Sequence, residues 1–111
     1  MTDAYKLVWF VPDDALERTR DAVFRAGAGR IGDYERCSWS TAGEGTFLGG
    51  EGTNPSIGQT GQEEHVHELR VETVVPAAHA REVVDALVAA HPYEEVAFDL
   101  YPLVALVALD A

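Results

Sequence analysis

The 111-residue chain has one cysteine, one methionine and only eight basic side chains. With Cys37 alone no intrachain disulfide can form, and such cysteine usage fits a reducing compartment. Eight Lys and Arg against 19 Asp and Glu leave a formal charge of −11, a field that repels phosphate backbones and anionic lipid. Nucleic acid is therefore not an expected partner. Long apolar runs are lacking too: the longest, Leu103 to Leu109, has seven residues, where a bilayer helix needs about 20. The first residues, Met1 to Lys6, show no basic stretch followed by an apolar one, so no secretion leader is expected and the protein is read as cytoplasmic.

A hydrophobic fraction of 47% is enough for one domain with a real core. Two segments of it repeat each other at an offset of 64 positions: Val11-Pro12 matches Val75-Pro76, Asp21-Ala22 matches Asp85-Ala86, and Ala26 matches Ala90. In each, an apolar run ends at Val-Pro and a helical pattern follows. The first strand spans about Tyr5 to Val11, and Asp13 or Asp14 is placed to cap a helix whose inward stripe is Leu16, Thr19, Val23 and Ala26. Gly27 reads as its C-cap. The second strand alternates Leu69, Val71, Thr73 and Val75 with Arg70 and Glu72, and the second helix carries Ala80, Val83, Val84, Leu87 and Val88 inward. Between the copies lie a strand from about Tyr34 to Thr41, a shorter one around Gly45 to Leu48, and a glycine-rich loop from Gly49 to Gly61. A last strand, about Val96 to Tyr101, precedes the apolar tail at 103–109. The order is βαββαβ, which right-handed crossovers close into an α+β ferredoxin-like plait, an antiparallel sheet with both helices on one face.

The first strand is apolar on both faces, with Tyr5, Leu7, Trp9 and Val11 on one and Val8 and Phe10 on the other. A single layer of helices covers one face only. The second face and the tail therefore predict a homo-oligomer whose subunits cover one another.

Chemistry-bearing residues gather in a few places. His91-Pro92-Tyr93-Glu94-Glu95 sets an imidazole beside two carboxylates, which suits cation binding or proton transfer near neutral pH. Its structural reading is a helix end, with His91 near the last carbonyls and Pro92 redirecting the chain. His65 and His67 stand two apart near a strand start, on one face, among Glu63, Glu64 and Glu68. They would supply half of a divalent-metal site, with His91 as a further ligand, although His67 shares its face with the core residue Leu69. Gly27-Ala28-Gly29-Arg30-Ile31-Gly32 follows a helix instead of opening one, so it is no dinucleotide fingerprint, while Arg30 is a candidate anion ligand. Cys37, on the same strand face as Glu35 and Trp39, reads as an inert thiol.

The stretch Gly27 to Tyr34 with Cys37-Ser38-Trp39, then Gly43-Glu44-Gly45-Thr46-Phe47, Gly52-Thr53-Asn54-Pro55-Ser56-Ile57-Gly58, His91 to Glu95 and Tyr101-Pro102 closely resembles the domain inserted in NIF-three-like proteins, also called GTP cyclohydrolase type-two homologues. The match covers nearly the whole chain, which looks like that domain existing alone. The resemblance implies a plait similar to CutA, the divalent-cation tolerance protein that also carries a His-Pro-Tyr-Glu run, and to the trimeric PII signalling proteins. It implies a homo-oligomer, trimeric or dimer-based, and a loop at 49–61 that either closes on a ligand, as the PII T-loop does, or lies along a neighbour. His91, Tyr93, Glu94, Glu95, Arg30 and Asn54 become the cleft candidates. Larger members resemble dinuclear metal hydrolases whose ligands lie outside the insert, and no residue here matches those ligands. Relatives tend to have Arg-Pro-Leu after Gly-Thr-Phe and an aromatic after Asn-Pro; this chain has Leu48-Gly49-Gly50 and Ser56. The leading expectation is a non-enzymatic module whose clefts bind a small ligand or cation and whose loops signal to a protein partner. A divalent-metal protein using His65, His67 and His91 is the alternative, and a hydrolase the second alternative.

Overall fold

The computed structural model describes residues 2–104, so the expected apolar tail lies outside the described residues from position 105 onward. The elements are β1 (Ala4–Val11), α1 (Leu16–Arg25), β2 (Ser38–Leu48), β3 (Glu63–Pro76), α2 (Ala80–Ala90) and β4 (Phe98–Leu103). All pairings are antiparallel and the strand order is β2-β3-β1-β4, the ferredoxin-like plait the repeat predicts. β1 and β4 pair from Ala4 opposite Leu103 to Trp9 opposite Phe98.

Alternation along the strands decides which face the helices cover. Leu7, Trp9 and Val11 of β1 and Val71 and Val75 of β3 pack with Val23 of α1 and with Val83 and Leu87 of α2. Thr19 is the polar member of this layer. Its hydroxyl accepts the Trp9 indole N–H at 3.0 Å and lies 3.0 Å from the carbonyls of Ala15 and Leu16, to one of which it donates. The fully buried indole is thereby satisfied without water. Val88, expected in the second stripe, is 47% exposed, because Val83 and Leu87 already fill the contact with the sheet and α1.

Both helices start alike. After Pro12 and Pro76 the chain makes one 3-10 turn, Asp13–Ala15 and Ala77–His79, and neither helix start has a side-chain capping bond. The cap expected from Asp13 or Asp14 is thus replaced by a backbone bond, Ala15 N–H to the Pro12 carbonyl at 3.0 Å. At the other end of α1 the expected glycine cap is present. Gly27 has φ 121°, its N–H donates to Phe24, and the Ala28 N–H donates to Val23, the paired bonds of a Schellman motif. A Cβ on Gly27 would lie 2.9 Å from the His79 ring. Replacing Gly27 with alanine is therefore expected to lower stability by about 1–2 kcal/mol, measurable as a reduced urea midpoint at unchanged slope.

One strand boundary differs from expectation. β2 is one eleven-residue strand and not two shorter ones, since Gly43 and Gly45 are held in the ladder opposite Glu68 and Val66; Tyr34 only bridges to Ile31, and Cys37 lies just before β2. β3 begins at Glu63, so His65 and His67 stand near its start as expected, and cross-strand bonding to β2 holds this charged segment, which has little strand propensity of its own.

The face away from the helices, for which the sequence predicts a cover, is partly covered from within the chain. Val8 is 1% exposed, with Glu72 and Asp99 as its flanking register partners, and Lys6 and Arg70 pair with Glu72 on the same face. The Arg70 guanidinium stacks 5.7 Å from the centre of the Phe10 ring. The apolar groups that demanded a cover in the sequence therefore obtain much of it from long ion-paired side chains of the same chain.

Candidate ligand cleft

α2 ends at Ala90 and His91 turns extended, with φ −82° and ψ 141°. The imidazole, 7% exposed, is folded back against β1. Its Nε2 lies 2.7 Å from the Phe10 carbonyl and its Nδ1 lies 3.1 Å from the Tyr93 N–H. A backbone N–H can only donate and a carbonyl can only accept. Nδ1 is therefore the bare nitrogen and Nε2 carries the proton. Burial holds the His91 pKa below its ordinary value, opposed by the Phe10 bond and assisted by the nearby Arg18 charge. With both nitrogens engaged, His91 is a neutral brace between α2 and β1; α2 ends there as expected, but the ring meets the Phe10 carbonyl and not the last carbonyls of the helix.

The brace aims its neighbours. The Tyr93 hydroxyl donates to the Glu68 carboxylate at 3.3 Å. Burial first, then the Glu68 charge and hydrogen bond, push the Tyr93 phenol up to about 12, so it stays protonated as a donor. Glu68 in turn lies over Gly45, where any Cβ would collide with its carboxylate. Glu94 reaches the opposite way: its Oε1 accepts the backbone N–H of Asn54 at 3.1 Å and ties the glycine-rich loop to the turn. The loop is closed at its base by the Gly61 N–H bond to the Gly49 carbonyl at 2.7 Å. Within the chain the loop therefore lies against the turn that follows α2.

Beneath the loop is a cavity of about 240 Å³. Phe10, Gly45, Phe47 and Glu68 form its floor on the sheet face away from the helices. Tyr93, Glu94 and Glu95 make one wall, and Thr53, Pro55, Ser56 and Ile57 make the roof. Four of the cleft candidates, Tyr93, Glu94, Glu95 and Asn54, are thus brought to one place, Asn54 through its backbone. Phe10 and Phe47 are not among the expected site residues, and Glu68 is expected only as an acidic neighbour of His65 and His67. Strand alternation offered one clue, since Glu68 and Arg70 fall on the face opposite His65 and His67, where Phe10 was already placed.

The remaining candidates lie elsewhere. Arg30 is exposed, pairs with Glu35 at 3.6 Å, and lines a separate shallow cavity with Arg25 and Arg36. His65 lies 2.7 Å from Glu44 and 3.3 Å from Glu63, contacts that raise its pKa, Glu44 contributing most. His67 lies 3.3 Å from Asp13. Among the described residues no three His, Cys, Asp or Glu side chains gather where they could hold a metal ion, and His91 is not brought to His65 and His67 within the chain. The reason is local: His91 is turned into the body of the fold by the Phe10 carbonyl, while the other two stand on the exposed part of the β2–β3 hairpin.

The plait has the CutA-like form of the ferredoxin-like fold. Solved structures of CutA from Archaeoglobus fulgidus and of CutA1 from Shewanella superpose with TM-scores of 0.67 and 0.70, over 96% and 98% of this chain and 92% and 91% of theirs, at 16% identity, a likeness of fold alone. Within that fold the chain is homologous to one domain of the NIF3-like proteins named GTP cyclohydrolase 1 type 2 homologue. It is 55% identical to that of Mycobacterium tuberculosis over 102 residues and 46% identical to that of Bacillus subtilis over 98 residues. A Bacillus cereus protein related to NIF3 matches with a TM-score of 0.81 at 47% identity, over 94% of this chain. The chain spans only about a quarter of these relatives, 27%, 26% and 26% of their lengths. No family model matches the chain. No helix among the described residues is long and apolar enough to cross a membrane.

Proposed function

We propose that the chain is a non-enzymatic CutA-like module that binds a small ligand in the cleft under residues 49–61 and reports occupancy through that loop. The observation that carries this reading is the Asn54 to Glu94 hydrogen bond, which closes a glycine-rich loop over a formed cavity. A loop held at its tip by one exposed backbone-to-carboxylate bond opens at small cost, and a ligand touching both roof and floor would favour the closed state. Homo-oligomerisation belongs to the same proposal. Its support is the set of large apolar side chains left exposed, Tyr34, Trp39, Leu48 and Val104, with CutA-like trimers as the resemblance's example.

The test is calorimetry against nucleotides, divalent metals and small amines, with hydrogen exchange of residues 49–61 read alongside. Saturable binding with slowed exchange in the loop is expected, and light scattering at micromolar concentration should give a mass above one chain. Binding that leaves the loop's exchange unchanged would remove the signalling role, a monomeric mass the assembly, and turnover of GTP would replace the reading with a hydrolase.

The divalent-metal reading keeps one supporting observation, the imidazole–carboxylate pairs of His65 with Glu44 and His67 with Asp13 on an exposed hairpin. Such half-sites become sites only when another subunit adds ligands. Stoichiometric metal in untagged protein, lost in the His65→Ala, His67→Ala double variant, is the result this reading requires.

A further inference from the structure

The charge of the cleft points to the class of ligand, an inference that rests on the ligand-binding reading above. Three carboxylates line the cavity, Glu68, Glu94 and Glu95, and among the described residues no Lys, Arg or His does. Arg70 stacks on the cavity residue Phe10, and its charge is offset by Glu72, which accepts its Nε–H at 3.1 Å. Around the carboxylates the walls are apolar: the rings of Phe10, Phe47 and Tyr93 with Pro55 and Ile57. Gly45 is what lets Glu68 lie along the floor, since a side chain at that position would displace the carboxylate.

Acidic groups set among aromatic faces are suited to an organic ammonium, which gains from both the carboxylate charge and the ring quadrupole. A phosphate-bearing or carboxylate ligand would meet repulsion from all three glutamates, in a chain of net charge −11. A bare metal ion would leave most of the cavity unfilled, because about 240 Å³ equals the liquid volume of about eight water molecules. We propose that the cleft binds a small organic cation, a primary or quaternary ammonium carried on a compact apolar or aromatic body, with the ammonium among Glu68, Glu94 and Glu95 and the body against Phe10 and Phe47.

Three probes of nearly equal shape test this by calorimetry at pH 7.5 and low salt: 2-phenylethylammonium, 2-phenylethanol and phenylacetate. The ammonium should bind saturably, roughly tenfold or more tightly than the alcohol, a difference of about 1.4 kcal/mol, and phenylacetate should bind most weakly. Raising the salt to 0.5 M should weaken only the ammonium. E95Q and E68Q should each lower its affinity several-fold and lower that of 2-phenylethanol far less, with far-ultraviolet dichroism checking that both variants fold. Equal or tighter binding of the alcohol or the acid overturns the charge assignment and leaves the ligand-binding reading standing. Failure of the ammonium to bind also overturns it. If nucleotides and divalent metals fail as well, the ligand-binding reading falls with it.

Discussion

Trp9→Ala is expected to lower the unfolding free energy by about 3–5 kcal/mol, a large part of what a domain of this size possesses. Trp9 is the largest fully buried side chain, at the centre of the layer between β1, β3 and the two helices. The polar half of the same contact is separable. Thr19→Val keeps the shape but removes the acceptor of the indole N–H, leaving a buried donor unpaired at a cost of about 1–3 kcal/mol. Trp9→Phe removes that donor, so Thr19→Val should cost much less in the Trp9→Phe background. Urea unfolding of the four proteins in this cycle measures the coupling, and additive costs would show that the indole finds another partner.

His91→Leu should have the next largest effect, about 2 kcal/mol at pH 7.5, because the Phe10 carbonyl and the Tyr93 N–H both lose their partner. The wild-type protein carries an acid sensitivity from the same residue. In the unfolded chain this imidazole takes its proton near 6.5, and in the folded protein only at lower pH, chiefly because burial disfavours the charged ring. The stability contributed by the neutral ring is therefore complete above about pH 6.5 and is lost as pH falls from there through the depressed folded value. His65 acts in the opposite sense, its support fading as pH rises through its raised value, but it is exposed and screened by solvent. Unfolding midpoints of wild type and His91→Leu at pH 7.5 and 5.0 isolate the effect. The variant should be less stable at pH 7.5 yet fall less on acidification. An equal fall in both would assign the acid sensitivity to carboxylates instead.

Much of the plait was legible because its signals are local. The repeat ending at Val11-Pro12 and Val75-Pro76 set two strand-to-helix turns, and the structure gives both the same 3-10 turn and helix start. Gly27 named a helix end because few other residues accept its backbone angle. The site was legible only in part, because it is assembled by pairing register and loop closure, which a single strand's pattern does not encode. Tyr93, Glu94 and Glu95 were recognisable as a cluster since they are consecutive. Glu68 and Phe47 join them only once β2 and β3 align Gly45 opposite Val66, and Asn54 contributes through a backbone N–H that residue type does not announce. The separation of the histidines has the same cause. His65, His67 and His91 share a chemistry, but His91 is claimed by a carbonyl 81 positions away in sequence.

The pairing of Ala4 with Leu103 brings the two ends of the fold to the same rung of neighbouring strands. Neighbouring strands lie about 5 Å apart, so a host chain could leave and re-enter its own fold across a gap little wider than one residue. Such a unit can be spliced into a surface turn of another protein as a side loop, or cut out of it, with little disturbance to either partner. The geometry gives a physical account of how a sequence so similar to this one can occupy about a quarter of much longer proteins.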